Sequence, residues 1–154
     1  MGTHAVQRGP TADTVGANVK RLREERNLGL RAFAGRLAET GRPLTHTALD
    51  KIERGTRRVD VDDLMALSVA LGVSPLRLLM PHTATADEYV QATCRPTEPA
   101  HLLWDVLRAA PFREIDGPMN YRHCLDSTPP WAISDLGITV ATVDFNRKPD
   151  NGND

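Results

Sequence analysis

The sequence predicts a mainly α protein, with five short helices across residues 14–80 followed by a small α+β or extended C-terminal region. Three observations lead there. Apolar residues recur at helical spacing through residues 14–80, a stretch whose prolines are Pro43 and Pro75 alone. From Pro81 onward, prolines at 96, 99, 111, 118, 129 and 130 forbid long helices. Charge divides at the same place: 12 basic against 8 acidic residues over 14–80, a net of +4, but 6 against 11 over 81–154, a net of −5.

Each helix has its own punctuation. The first is expected over roughly Thr14 to Arg26, with Val15, Val19 and Leu22 inward and charged residues outward; Asn27 ends it. Gly29 is a possible N-cap for a second helix that turns Leu30, Phe33, Ala34 and Leu37 inward and closes at Gly41-Arg42-Pro43. Thr45 caps a third helix at 46–54, whose inner stripe is Ala48, Leu49 and Ile52, and Gly55 stops it. Asp60 caps a fourth, with acidic residues in its first turn and Gly72 at its end. Ser74 and Pro75 start a last short helix that Pro81 ends. Around these, residues 1–13 read as a flexible tail, 14–81 as one domain, 82–146 as a small C-terminal region and 147–154 as a disordered tail.

Composition narrows the function classes. The 154 residues carry a formal net charge of −1, which argues against a general polyanion binder when taken whole. The split between halves points instead to two jobs, one of them polyanion contact, or else to chance variation in solvated surface. Two cysteines, Cys94 and Cys124, exclude a multi-disulfide scaffold. No apolar run approaches the roughly 20 residues of a membrane helix, and the N-terminus lacks a signal-type stretch, so a cytoplasmic protein with no membrane contact is expected.

The segments LGLRAFA at 28–34, TALDKIERG at 47–55 and DVDDLMALSVALGVSPLRLL at 60–79 resemble the lambda-repressor-like helix-turn-helix family, the Cro/cI or xenobiotic-response-element type. The resemblance covers less than half of the chain. It implies that the second and third helices form a DNA-binding unit with the third in the major groove. By position, His46, Thr47 and Lys51 match the family's base-reading sites, and Thr45, Arg54, Arg57 and Arg58 match backbone-contacting sites. Arg23 and Glu53 align with an ion pair that locks the first and third helices together. One departure is the connection AETGRPL at 38–44, longer than the family's tight turn, which lengthens the second helix and the loop after it.

The residue types fit that assignment on their own terms. Thr, His and Lys side chains can hydrogen-bond base edges, and a lysine suits the acceptors of guanine. Arg54, Arg57 and Arg58 follow where phosphates lie if the helix enters a groove. Each residue has a plainer reading too: His46 as an exposed helix-start residue, Thr45 as a cap and nothing more, Arg57 and Arg58 as solvated surface. Asp50 is either an acceptor for a cytosine amino group or the i,i+4 partner of Arg54.

The acidic half predicts a strand at Tyr89–Cys94, a helix opened by Glu98-Pro99 with Leu103, Trp104 and Leu107 on its apolar face, and a second strand at Gly137–Phe145. Trp104 and Trp131 are expected in a core or an interface. Catalytic and cofactor motifs are missing, and His123-Cys124 with Asp126 lacks the spacing of a zinc site, so no enzyme, metal or cofactor is expected. The expected partners are double-stranded DNA, a second copy of the chain, and a possible protein partner for residues 82–146. The leading expectation is a transcription regulator, more specifically a repressor. The alternative is an antitoxin or adaptor whose acidic region binds a protein while the helical domain regulates its own promoter.

Overall fold

The computed structural model describes residues 8–113 and 119–133. Five helices come first: α1 (Pro10–Glu25), α2 (Leu30–Glu39), α3 (His46–Glu53), α4 (Val61–Leu71) and α5 (Pro75–Leu79). Their ends follow local chemistry. Thr45, Asp60 and Ser74 each accept a backbone N–H of the helix they open. Beyond α1, α3 and α4 the chain turns through positive φ at Asn27, Gly55 and Gly72. The next residues then donate back into the last turn: Leu28 to Arg23, Thr56 to Lys51 and Val73 to Ser68.

The first helix starts at Pro10, four residues before the expected Thr14, so the ordered chain reaches into the stretch read as a tail. Pro10 occupies the first helical position, where a missing N–H costs nothing and φ is already set. The second helix continues past Leu37 through Glu39, and the remaining residues of the long connection form the loop before Thr45.

Helix α1 packs along α5 and crosses α3 and α4, while α2 packs on α3 and α4. Val19, Phe33, Leu37, Leu49, Ile52, Leu67, Leu71 and Leu78 meet between them, fully or almost fully buried. Each such side chain contributes about 1.5–3 kcal/mol of burial. Gly16 lets α1 approach the end of α3, since a Cβ there would lie 2.6 Å from the Ile52 carbonyl oxygen. Buried Asn18 donates from Nδ2 to the carbonyls of Leu78 and Met80 at 3.0 and 2.7 Å, which fixes the exit of α5.

The C-terminal region is a small strand-and-helix unit. Strand β1 (Tyr89–Val90) pairs antiparallel with β2 (Glu98–Pro99), and α6 (Ala100–Leu107) follows. Strand β3 (Phe112–Arg113) pairs antiparallel with β4 (Met119–Asn120), followed by α7 (Tyr121–Ser127) and a 3₁₀ turn at Pro130–Ala132. Met80, Val90, Ala100 and Leu103 form its own core.

Two expectations for this region are corrected. The strand expected to run to Cys94 stops at Val90, and the chain then turns between Ala92 and Arg95, with Cys94 at φ +62°. The helix opened by Glu98-Pro99 begins at Ala100 as expected, with Pro99 at its N-cap position, and Glu98 and Pro99 themselves pair as a short strand. Trp104 is 40% exposed and Trp131 78% exposed, so neither lies in a core. The hairpin covers the Ala100 and Leu103 side of α6, Leu102 is buried as well, and Trp104 is turned outward. The strand expected at Gly137–Phe145 lies outside the described residues.

Candidate nucleic-acid interface

Helix α3 is amphipathic in a way that separates structure from contact. Ala48, Leu49 and Ile52 are buried, while His46, Thr47, Lys51 and Arg54 are exposed. Thr47 and Lys51 are one turn apart and Arg54 lies three residues beyond, so they share the outer face. Thr45 is exposed at the start of the helix, and its hydroxyl accepts the Ala48 N–H at 3.1 Å. Arg54 pairs with Asp50 across one helical turn. Arg57 and Arg58 are exposed in the connection that follows α3. The structure therefore places Thr45, His46, Thr47, Lys51, Arg54, Arg57 and Arg58 along one helix and the loop that ends it.

That helix is held from below. Arg23 Nε and Nη2 donate to Glu53 Oε1 and Oε2 at 2.6 and 2.9 Å, a two-pronged contact between α1 and α3. Arg23 Nη1 also donates to the Leu28 carbonyl at 2.6 Å, so the same guanidinium ties down the connection leading into α2.

A second anchor went unread in the sequence. Arg42, in the long connection between α2 and α3, reaches the start of α4: Nε to Asp63 Oδ1 at 2.9 Å, Nη2 to Asp60 Oδ2 at 2.7 Å, and Nη1 to Asp62 Oδ2 at 3.5 Å. Arg57 reaches the other oxygen of Asp63 at 3.4 Å. The Asp63 side chain is only 2% exposed, so a buried carboxylate receives the loops on both sides of α3. The triplet Asp60, Asp62 and Asp63 was legible only as a favourable first turn of α4.

Asp60 gives this anchor a pH signature. The Asp63 N–H above all, and Arg42 beside it, hold the Asp60 carboxyl below the usual carboxylate range. A lowered folded-state value contributes stability that is present above the unfolded value and lost as the pH falls through the folded one. Asp60→Asn keeps a competent cap but removes the charge. Its melting temperature should therefore fall less steeply than that of the parent protein between about pH 5 and about pH 2. Parallel curves would rule Asp60 out as a source of the acid sensitivity.

Elsewhere the polar groups are spent on structure. His123 Nε2 lies 3.1 Å from the Val106 carbonyl, Cys124 is buried, and Asp126 pairs with Arg122 at 3.3 Å. Among the described residues no group of three or more His, Cys, Asp or Glu is placed to hold a metal ion. No described helix is long and apolar enough to cross a membrane.

A family model described as a helix-turn-helix domain matches residues 14–79, the stretch that contains α3 and its anchors. Residues 14–79 are a helix-turn-helix domain. Among solved structures, the clp gene regulator ClgR from C. glutamicum is 24% identical, with 47% of this chain and 87% of that one covered and a TM-score of 0.41. The DNA-binding domain of BldD is 27% identical, with 47% and 99% covered and a TM-score of 0.41. The hypothetical transcription factor NHTF from Neisseria is 17% identical, with 53% and 87% covered and a TM-score of 0.42. A search of curated proteins returned no match. The helix-turn-helix domain occupies the N-terminal half, and the strand-and-helix unit after Met80 lies beyond the matched residues.

Proposed function

We propose that this chain is a sequence-specific, DNA-binding transcription regulator that inserts α3 into the major groove of double-stranded DNA. The observation that carries the reading is the exposed face of α3. It offers His46, Thr47 and Lys51 for base edges, with Thr45, Arg54, Arg57 and Arg58 flanking them for phosphates. The buried face of the same helix and the Arg23–Glu53 pair supply the fixed support such a reader needs. A domain seated in the groove excludes polymerase from the same duplex, so we read the regulator as a repressor.

A single small module grips DNA weakly, so the working form is a homodimer on two half-sites. The outer face of α4 supports this, because Val61, Met65 and Val69 are exposed on one row with equal spacing about Met65. Two such rows meet antiparallel across a two-fold axis with like residues opposed.

Selection of bound sequences from a random duplex pool, with the full chain, tests the reading. It should enrich two-fold-related half-sites about one helical turn, roughly 10 base pairs, apart. With its modest basic excess, each protomer should release about three to six counterions. Absence of saturable duplex binding at low salt would overturn the assignment.

A further inference from the structure

We propose that Arg8 is a further phosphate-contacting residue of this interface, and that the C-terminal unit holds it in place through a clasp between Thr11 and Thr93. The inference rests on the DNA-binding reading above. It adds a residue that precedes the helix-turn-helix domain, and a role for the unit that follows it.

The clasp comes first. Gly9 precedes α1 and has no side chain to cap it. The hydroxyl that reaches this helix start belongs to Thr93: its Oγ1 accepts the Thr11 N–H at 3.4 Å, and its own N–H donates to Thr11 Oγ1 at 2.8 Å. This reciprocal arrangement does what a capping box does, but its partner stands 82 residues away. A Cβ on Gly9 would overlap Thr93 Oγ1, so the two segments are in close contact.

Thr93 is itself held. It lies in the turn between β1 and β2, where Arg95 N donates to the Ala92 carbonyl at 3.1 Å. Arg95 also pairs with buried Glu98 of β2 at 2.5 and 2.9 Å. The hairpin thus presents its Thr93 hydroxyl from a fixed base.

The chain preceding this clasp is aimed at the end of α3. The Arg8 guanidinium lies over Gly55, the residue that closes α3 at φ +73°, and a Cβ there would overlap it. Arg8, Gly55, Thr56, Arg57 and Arg58 line an open cavity of about 520 Å³. Three arginines line one cavity beside the helix assigned to the groove, which suits a phosphodiester, whose oxygens match the planar N–H fork of a guanidinium.

In the free protein Arg8 Nη2 pairs with Asp13 Oδ1 at 2.5 Å, but the Asp13 side chain is 66% exposed. With Arg8 half-buried at 27% and its carboxylate partner open to water, the pair is weak, and a phosphate oxygen can take the place of Asp13. The clasp keeps the segment ordered beforehand, so that less freedom is lost when DNA binds.

The test measures duplex affinity of the full chain against salt concentration for the parent protein, Arg8→Ala, Asp13→Asn, Thr93→Val and the Arg8→Ala/Thr93→Val double variant. Circular dichroism checks that each is folded. Arg8→Ala should lower affinity about threefold to tenfold and reduce the salt slope by about one. Asp13→Asn should raise affinity, a direction that loss of structure would not produce. Thr93→Val should lower affinity in the parent background and have no further effect once Arg8 is gone.

The outcomes separate cleanly. If the parent protein shows no salt-dependent duplex binding, the DNA-binding reading fails and this inference fails with it. If the parent binds and Arg8→Ala keeps its affinity and slope, the inference alone is overturned. If the Thr93→Val loss persists in the Arg8→Ala background, the positioning role of the C-terminal unit is overturned.

Discussion

Glu53→Ala lowers the stability of the helix-turn-helix domain by about 3–5 kcal/mol, and Arg23→Ala does the same. The two side chains are 5% and 11% exposed, and their contact is two-pronged at 2.6 and 2.9 Å. Removal of Arg23 leaves Glu53 out of water without its counter-charge, and removal of Glu53 leaves Arg23 only the exposed Glu24 carboxylate at 3.4 Å, so either costs far more than loss of a surface pair. Arg23 also holds the Leu28 carbonyl, so its loss loosens the entry to α2 as well. A domain of this size has about 5–15 kcal/mol in total, so either substitution removes a large fraction. Urea unfolding followed by circular dichroism measures the loss. Replacement of both partners by apolar residues of similar volume, Arg23→Met with Glu53→Leu, should recover much of it. Single-variant losses under about 1 kcal/mol would place the pair with ordinary surface contacts.

Lys51→Ala should abolish most discrimination between the selected duplex and a scrambled one, with a loss of about 1–3 kcal/mol on the selected sequence. Lys51 is exposed one turn beyond Thr47, and its carbonyl accepts from the N–H groups of Thr56 and Arg57, so its backbone is anchored while its side chain projects. Arg57→Ala should behave differently, weakening both duplexes alike and reducing the salt slope by about one. Arg57 also reaches Asp63, and the Arg42 contact keeps that carboxylate partnered in the variant. Titration of both duplexes with the full chain separates the two roles. Equal losses on both duplexes would make Lys51 a phosphate contact, and no loss on either would place the groove-reading face elsewhere.

Much of the helical domain was legible because its signals act over short range. Thr45, Asp60 and Ser74 cap within three residues, and Asn27, Gly55 and Gly72 relieve the backbone where each helix must stop. The exposed row on α3 was legible too, since burial of Ala48, Leu49 and Ile52 dictates which residues face outward. The C-terminal unit was less so. Its strands are two residues long, too short to show an alternation, and their pairing is set by turns such as the one at Cys94. Trp104 shows the same limit: three apolar residues at helical spacing name an apolar face, but the hairpin covers the side that holds Ala100 and Leu103.

The sequence by itself determined that residues 14–80 form five helices and which face of the third is free. Caps, glycines and apolar spacing do their work within a turn or two of chain. Only the tertiary structure decided where Arg42 and Arg8 go, which hydroxyl reaches the start of α1, and what the acidic half touches. Those outcomes depend on Asp63, Gly55 and Thr93, partners 21, 47 and 82 residues away from the groups they meet. A guanidinium or hydroxyl can satisfy its hydrogen bonds with any acceptor or donor that folding brings near. Spacing along the chain carries no record of that choice.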